Sequence, residues 1–344
     1  MAPPQEIPTI YTLEDIESVV SDPQFAVELI DAIQEGFVAY SKGNFNAAPI
    51  QTLGAPPMAP FVNVDNYSAQ TCVKSGYITG GDHYVTKIAS GGNPHPNSGL
   101  MQLYSQKTGK FEMLLLDDGL LTELRTAAVG SVAARMLAPD LSDEAACIGV
   151  LGTGVQARYQ LQYLAHVTGC RNVRVWGRTE KNTVQFIKDM EAEGWNVTPV
   201  ESSQHLLQPP TNDWYCPLIV TTTSSRVPLL KLDGSKLSKR PLHITCIGSD
   251  STGKLELDPK LVAAADLLVA DSRIQTQERG EFEDAIKQGL VSLESITELG
   301  ELVLEKKSWR SNDDNDARFT VFDSSGVAVQ DCIIASMFAL RASK

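Results

Sequence analysis

One stretch, ACIGVLGTGVQA at residues 146–157, constrains the fold more than any other part of the chain. A short apolar run stops at a tight glycine turn, and an amphipathic stretch follows at once. Gly152, Gly154 and Ala157 fit the form G-x-G-x-x-A. In that form the first glycine permits a sharp strand-to-helix turn. The second lets backbone approach a pyrophosphate, and the alanine lets the new helix pack close to a sheet. Free N–H groups and a partial positive charge at the helix start then favour phosphates. A bound dinucleotide is the expectation.

Glycine patterns of this kind arise by chance, so the flanking sequence decides. Residues 173–176 read as a second strand about one helix length downstream, the spacing of a βαβ unit. Further apolar runs follow at 218–220, 244–247 and 267–269, each separated by enough chain for a crossover. After the second strand an NAD site usually places an acid; this chain has Gly177-Arg178-Thr179. Arg178 is suited to fork onto a 2′-phosphate, and Thr179 to donate a hydroxyl bond. The alternatives are an exposed loop arginine, with Glu180 filling the acidic role nearby. The reading favours NADP(H) and leaves NAD(H) open.

A chain of 344 residues is long enough for about two domains. Its 42% hydrophobic and 21% charged residues are ordinary for a soluble globular protein. A net charge of −13 argues against nucleic acid as a partner, which would require basic patches. Cys72, Cys147, Cys170, Cys216, Cys246 and Cys332 are scattered, and the five histidines form no cluster, so no metal site is expected. Residues 1–12 lack a basic start and an apolar core, and no run is apolar enough to span a membrane. Cytoplasmic residence is the expectation.

Ahead of the glycine turn, residues 13–40 carry apolar positions at helical spacing, with Thr12 as a cap. Residues 44–65 are proline-rich and read as loops and short extended pieces. Residues 84–89 read as a strand and 91–97 as a loop. Two strands, 100–105 and 113–116, join around Thr108-Gly109, and 122–137 reads as a helix. Near the end, 309–318 reads as a polar surface loop, 319–322 as a strand and 327–340 as a helix able to pack back on the N-terminal region. The fold class is therefore α/β. A Rossmann-type dinucleotide-binding domain, 128–324, is expected inside a discontinuous α+β substrate and dimerisation domain, 1–127 with 325–344.

Three residues stand out for chemistry. Lys87 lies in a strand with small neutral neighbours, and burying it needs an anion; its alternative is an edge-strand lysine. Arg125 begins a small-residue helix, or simply sits on that helix's surface. Asp250 follows a parallel strand, where carboxylates face the ligand crevice, or else forms a turn or cap.

Lys87 in VTKIAS, Arg125 in LTELRTAA, the GVLGTGVQA turn, GSDSTGKLEL and FDSSGVAVQD stand in an order that resembles the ornithine cyclodeaminase and mu-crystallin family. The resemblance spans about residues 11–340. It implies a homodimer. By matching position, it implies that Lys87 and Arg125 hold a substrate carboxylate and that Asp250 is the catalytic carboxylate. It further implies that Gly152, Gly154, Val155, Gln156, Thr126, Thr223, Ser224, Lys254 and Ser324 contact the cofactor, and Ser325 the substrate. One position departs from the pattern. Where many members carry a carboxylate-binding arginine in P-x-R, this chain has Gln51, which keeps hydrogen bonding but loses the charge.

These readings converge on an enzyme of amino-acid or imine metabolism that uses NAD(P) at the α-carbon of an amino acid or cyclic ketimine. Asp250 would deprotonate the amine or protonate the imine, while Lys87 and Arg125 orient the carboxylate. A ketimine reductase or amino-acid dehydrogenase leads; ornithine cyclodeamination to proline and ammonia is the alternative outcome. From a different class, a non-catalytic NADPH or small-ligand binder like mu-crystallin is the rival, and retention of Lys87, Arg125 and Asp250 together argues against it.

Overall fold

Two helices form where the sequence shows one helical stretch. In the computed structural model, residues 7–54, 70–92, 95–232, 240–305, 309–310 and 318–343 are described. After β1 (Thr9–Tyr11), α1 (Leu13–Val20) starts at Thr12, whose hydroxyl accepts from Asp15 N while the Asp15 carboxylate accepts from Thr12 N. Pro23 cannot donate into a continuing helix, so the chain restarts there as α2 (Pro23–Ser41), capped by the Asp22 carboxylate on Gln24 N.

The chain divides into two compact units, Met1–Arg125 with Ala328–Lys344, and Thr126–Val327. The boundaries lie a few residues from 127/128 and 324/325, which moves Thr126 and Ser325 into the second unit.

In the first unit, β2 (Phe45–Ala47), β3 (Gln51–Leu53), β4 (Gln70–Ile78), β5 (His83–Gly92), β6 (His95–Ser105) and β7 (Phe111–Leu115) join β1 in one sheet. The spatial order is β1-β7-β6-β5-β4-β2, with β3 also on β4. All pairs are antiparallel except β1 on β7. Part of the expected 91–97 loop is strand: β5 runs to Gly92 and β6 restarts at His95, with a register shift between Ser90 and Gly92. Backbone pairing across the sheet outweighs the local turn signal of two glycines; Asn93 and Pro94 lie outside the described residues, as do residues 55–65 and 311–317 of two other expected loops.

The C-terminal helix, Ala328–Ala342, packs on β4, β5 and α2 within this unit. A Cβ at Gly36 of α2 would stand 2.8 Å from Ile333 Cγ1, so the two helices meet at close range there. Phe338 meets Tyr11 edge to face at 5.1 Å. The helix thus covers one face of the sheet, the face that carries Val85, Lys87, Met101 and Leu115 by register.

α3 (Leu120–Leu137) carries the chain from one unit into the other. The second unit holds β8 (Ala146–Leu151), α4 (Val155–Leu164), β9 (Asn172–Trp176), α5 (Glu180–Ala192), β10 (Asn196–Pro199) and β11 (Tyr215–Thr221). There follow β12 (Arg226–Leu230), β13 (Leu242–Cys246), β14 (Leu255–Leu257), β15 (Leu267–Ala270), β16 (Ile296–Glu298) and β17 (Phe319–Asp323). Eight strands pair in parallel in the order β10-β9-β8-β11-β13-β17-β15-β16, and β12 pairs with β14 apart from them. This is a Rossmann-type sheet. Apolar β8 and β15 are buried on both faces, as parallel sheets require, while β13 buries His243 and Thr245 as a hydrogen-bonded pair. Strand order reverses between β8 and β11, and the glycine turn sits at that switch point.

Candidate functional site

Within the first unit, antiparallel register sets Lys74 of β4 directly opposite Lys87 of β5. Both are buried, at 7% and 3% exposure. Arg125, 5% exposed, enters from α3, and Asp331, 1% exposed, enters from the first turn of the C-terminal helix. Asp331 Oδ1 lies 3.3 Å from Lys87 Nζ and 3.0 Å from Arg125 Nε. Arg125 also donates from Nη1 to Gln330 Oε1, while the buried Gln330 Nε2 finds no acceptor among the described residues.

Electrostatics follow from that packing. Burial pushes Lys74 down to about 8, and the Lys87 and Arg125 charges push the same way. Burial also lowers Lys87, with Asp331 opposing. Asp331 is held below the usual carboxylate range: burial raises it, but Lys87, Arg125 and Lys74 together outweigh burial. A further buried carboxylate, Asp117, accepts from Leu121 N at 3.0 Å and so fixes the start of α3; burial raises it, and the Lys87 charge opposes. Among the described residues, Lys74, Lys87 and Arg125 thus gather around Asp331, with Asp117 close enough to feel the Lys87 charge.

Gln51 falls elsewhere. It pairs with Val73, one residue from Lys74, so alternation turns its side chain to the opposite face from Lys74 and Lys87. It is exposed there, which does not match the expected carboxylate contact.

In the second unit the glycine turn has the geometry a dinucleotide needs. Gly152 has φ +117°, and a Cβ there would stand 2.5 Å from Thr222 Oγ1, so both backbone and space demand glycine. Gly154 caps α4 without a side-chain bond, and a Cβ on it would meet nothing within 4 Å. Its surroundings are open for a phosphate, and Ala157 is fully buried against the sheet side. A cleft of about 330 Å³ runs past Gly152, Gly154, Arg178, Thr179, Thr223 and Ser224. The residues present fit the dinucleotide. Val155 is exposed in the first turn of α4, and Gln156 accepts from Gln160 Nε2, which also bonds Thr126 O.

Buried carboxylates hold this cleft in shape. Glu256 accepts from Thr221 Oγ1 at 2.6 Å, Thr223 N at 2.6 Å and Gly248 N at 3.1 Å, tying together the loops after β11 and β13. Burial pushes Glu256 up to about 7. Glu281 accepts from Ser249 Oγ and from Glu256 N; burial, then the Glu256 charge, raises it well above its ordinary value. Sequence reasoning missed Lys74, Asp331, Glu256 and Glu281. The available signal was a charged residue inside an apolar stretch, as in Leu255-Glu256-Leu257 and in AVQDCII.

The remaining expected residues occupy varied settings. Asp250 follows β13 at the carboxyl end of the sheet, exposed, with Oδ1 2.5 Å from Lys254 Nζ. Ser324 and Ser325 are buried in the second unit, where both hydroxyls bond Asp271, at 3.2 and 2.9 Å. Ser325 Oγ also accepts from Gln275 Nε2, so its hydroxyl is engaged on both sides, unlike an open substrate contact.

Fold and turn define a Rossmann-type dinucleotide-binding protein whose nucleotide domain interrupts an α+β domain. The model of the ornithine cyclodeaminase/mu-crystallin family matches residues 11–344, and the chain belongs to that family. An uncharacterised cyclodeaminase of Sinorhizobium fredii is 33% identical over 299 residues, covering 84% of this chain and 86% of its own. A dimeric archaeal alanine dehydrogenase with bound NAD superposes with TM-score 0.81 at 26% identity, covering 98% of this chain and 96% of its own. The iminosuccinate reductase of Paracoccus denitrificans in complex with NAD+ gives TM-score 0.79, also at 26% identity and with the same coverage.

Proposed function

We propose that this chain is an NAD(P)-dependent enzyme of amino-acid and imine metabolism, acting at the α-carbon of an amino acid or cyclic ketimine as a reductase or dehydrogenase. The observation that carries this reading is the buried convergence of Lys87 and Arg125 on one side chain, Asp331, which sets two cations side by side as a carboxylate site requires. A substrate α-carboxylate completes it. The structural relatives named for alanine dehydrogenase and iminosuccinate reductase activity support the same substrate class.

Each role then follows from this chain's own groups. Lys87 and Arg125 hold the carboxylate and so orient the α-carbon. Asp331 keeps both cations charged and in place by its 3.3 and 3.0 Å contacts. Asp250 takes a proton from the amine in the oxidative direction and returns it to the imine nitrogen in the reductive one. A nicotinamide dinucleotide, when bound, supplies or accepts the hydride at that carbon. Gly152, Gly154, Val155 and the start of α4 hold its pyrophosphate, with Gln156, Thr126, Thr223, Ser224, Lys254 and Ser324 as further contacts.

NADP(H) is the preferred form in this proposal. Arg178 and Thr179 both line the cleft, and Arg178 is exposed with a free approach to a 2′-phosphate, whereas Glu180 is not part of the lining. NAD(H) remains the second choice, and both NAD-bound relatives favour it. A homodimer belongs to the same proposal. The sheet face of the first unit away from the C-terminal helix presents Ile10, Tyr84 and Leu116, at 55, 39 and 39% exposure, and a second copy would cover it.

Absorbance at 340 nm tests the function directly, with a panel of L-amino acids, 2-oxo acids plus ammonia, and cyclic ketimine carboxylates, each with both cofactors. Turnover of at least one carboxylate substrate is expected. Tight NADPH binding without turnover of any would instead favour a pure binder.

A further inference from the structure

We propose that Glu256 is a positioning residue for the cofactor, one buried carboxylate that fixes the loop bearing Thr223 and the loop bearing Asp250 in a single arrangement. This deepens the proposed function and rests on its nucleotide cleft.

The geometry lies wholly within the second unit. Glu256, fully buried on β14, accepts through Oε1 from Thr223 N at 2.6 Å. Through Oε2 it accepts from Thr221 Oγ1 at 2.6 Å and from Gly248 N at 3.1 Å. Thr223 and Ser224 line the cleft, and Asp250 follows Gly248 by two residues. The two loops leave β11 and β13, which are parallel neighbours in the sheet. They also touch: a Cβ on Gly248 would run into both Thr223 O and the Glu256 carboxylate. A shift of either loop therefore has to break a bond to the same carboxylate.

Glu281 fixes Glu256 in turn. It accepts from Glu256 N at 2.9 Å, from Leu257 N, and from the hydroxyl of Ser249, the residue just before Asp250. Gly248 and Ser249 are thus both anchored on this pair of acids, and the chain enters Asp250 from a held backbone. Glu256 serves the cofactor side through Thr223 and the proton-transfer side through Gly248.

Titration gives this role a signature that a merely structural acid lacks. Among the described residues, Glu281 faces Glu256, Cys246 of β13 lies beside both, and Asp323 of β17 lies beside Glu281 and Cys246. Burial, then the Glu256 charge, raises Glu281, so Glu281 takes a proton first. Glu256 is raised to about 7 by burial, against hydrogen bonds from Thr221, Thr223 and Gly248, so it keeps its charge above pH 7 and loses it below. A carboxylate holds N–H groups more firmly than a neutral acid does. Cofactor affinity, full above pH 7, should therefore fall as pH drops below it, by up to about tenfold per unit, until Glu256 is neutral in the complex as well.

Calorimetric titration of the full-length protein with NAD+, and separately with NADP+, between pH 6 and 8.5 reads this out. The proteins are the unaltered chain, Glu256→Gln and Thr221→Val, each checked for folding by circular dichroism, and the tighter-binding dinucleotide is compared across them. Glutamine copies the protonated acid at every pH. At pH 8.5 Glu256→Gln should bind about 10-fold more weakly than the unaltered chain, and at pH 6 only about 2-fold more weakly, as charged hydrogen bonds give way to neutral ones in both. A 2′-phosphate takes up its own proton near pH 6 in either protein, so that contribution cancels in the ratio. Thr221→Val keeps the carboxylate and removes a donor that lowers its pKa, so the fall in affinity should begin at higher pH. That arm and the profile of the unaltered chain carry the test if Glu256→Gln does not fold. An unaltered chain whose affinity holds below pH 7, a gap equal at both pH values, or a Thr221→Val profile matching the unaltered one would overturn the proposal while the cleft stands. If the unaltered chain binds neither dinucleotide, the nucleotide cleft fails and the Glu256 role fails with it.

Discussion

Asp331→Asn should cost the fold several kcal/mol, and the cost should depend on pH. The substitution keeps the shape and removes the carboxylate that pairs with Lys87 at 3.3 Å and Arg125 at 3.0 Å. Deleting one partner of a buried ion pair typically costs about 3–5 kcal/mol, because the remaining charge is left uncompensated. Asp331 also sits in the first turn of the C-terminal helix, where a carboxylate contributes ~0.3–1 kcal/mol through the helix dipole. Part of the loss is recoverable. Asp331 is one of the influences holding Lys74 up at about 8, so without it Lys74 falls further and sheds its proton near neutrality. For a lysine whose folded pKa lies below its unfolded value, the unfolded chain holds more protons between the two. Stability therefore climbs with pH through that window. In the variant the window opens below pH 8, so the deficit should be about 4 kcal/mol at pH 6 and smaller at pH 9. Urea unfolding followed by circular dichroism at both pH values measures it. A loss under about 1 kcal/mol at pH 6, or an equal loss at both, would refute the idea that Asp331 balances three buried cations.

Other outcomes follow from the nucleotide unit and from assembly. NADP(H) should bind more tightly than NAD(H), and Arg178→Ala should narrow the gap by ~1–3 kcal/mol in a fluorescence titration; equal or stronger NAD(H) binding by the unaltered chain would contradict this. Asp250→Asn should lower turnover by ~10²–10⁴-fold with little change in cofactor affinity. Its exposed ion pair with Lys254 is worth at most ~1 kcal/mol, so near-full activity would leave Asp250 as a turn residue. Light scattering at micromolar concentration should report a dimer, and a monomer would count against the exposed sheet face as an interface.

What the sequence reveals is what local backbone chemistry dictates. The turn at Gly152 is legible because a positive φ and a close neighbour both demand glycine, and that demand is written in one residue. Lys87 and Arg125 stand out as charges in small-residue surroundings. Their partner Asp331 lies more than 200 positions from either, on a helix whose packing partner no local pattern names. Lys74 is hidden for a related reason. Its strand mixes Thr, Cys, Lys, Ser and Gly, too polar to read as a buried strand, and only cross-strand register gives it meaning. Gln51 misleads in the opposite way: its place along the chain suits a carboxylate contact, but alternation on β3 turns it to the wrong face. Glu256 looks like a surface acid between two leucines, yet it is the buried acceptor that joins the loops after β11 and β13.

Isotope transfer tests the central claim most directly. The best imine substrate from the panel is turned over with nicotinamide cofactor carrying deuterium at C4, on the face the enzyme uses, and the product is read by mass spectrometry. One deuterium at the α-carbon of the amino-acid product, with one cofactor oxidised per product, is the expected result. Product without deuterium at the α-carbon, or no reduction of any imine in the panel, would contradict the assignment as a reductase or dehydrogenase; L-ornithine converted to proline and ammonia with no net cofactor consumption would then mark cyclodeamination as the activity of this site.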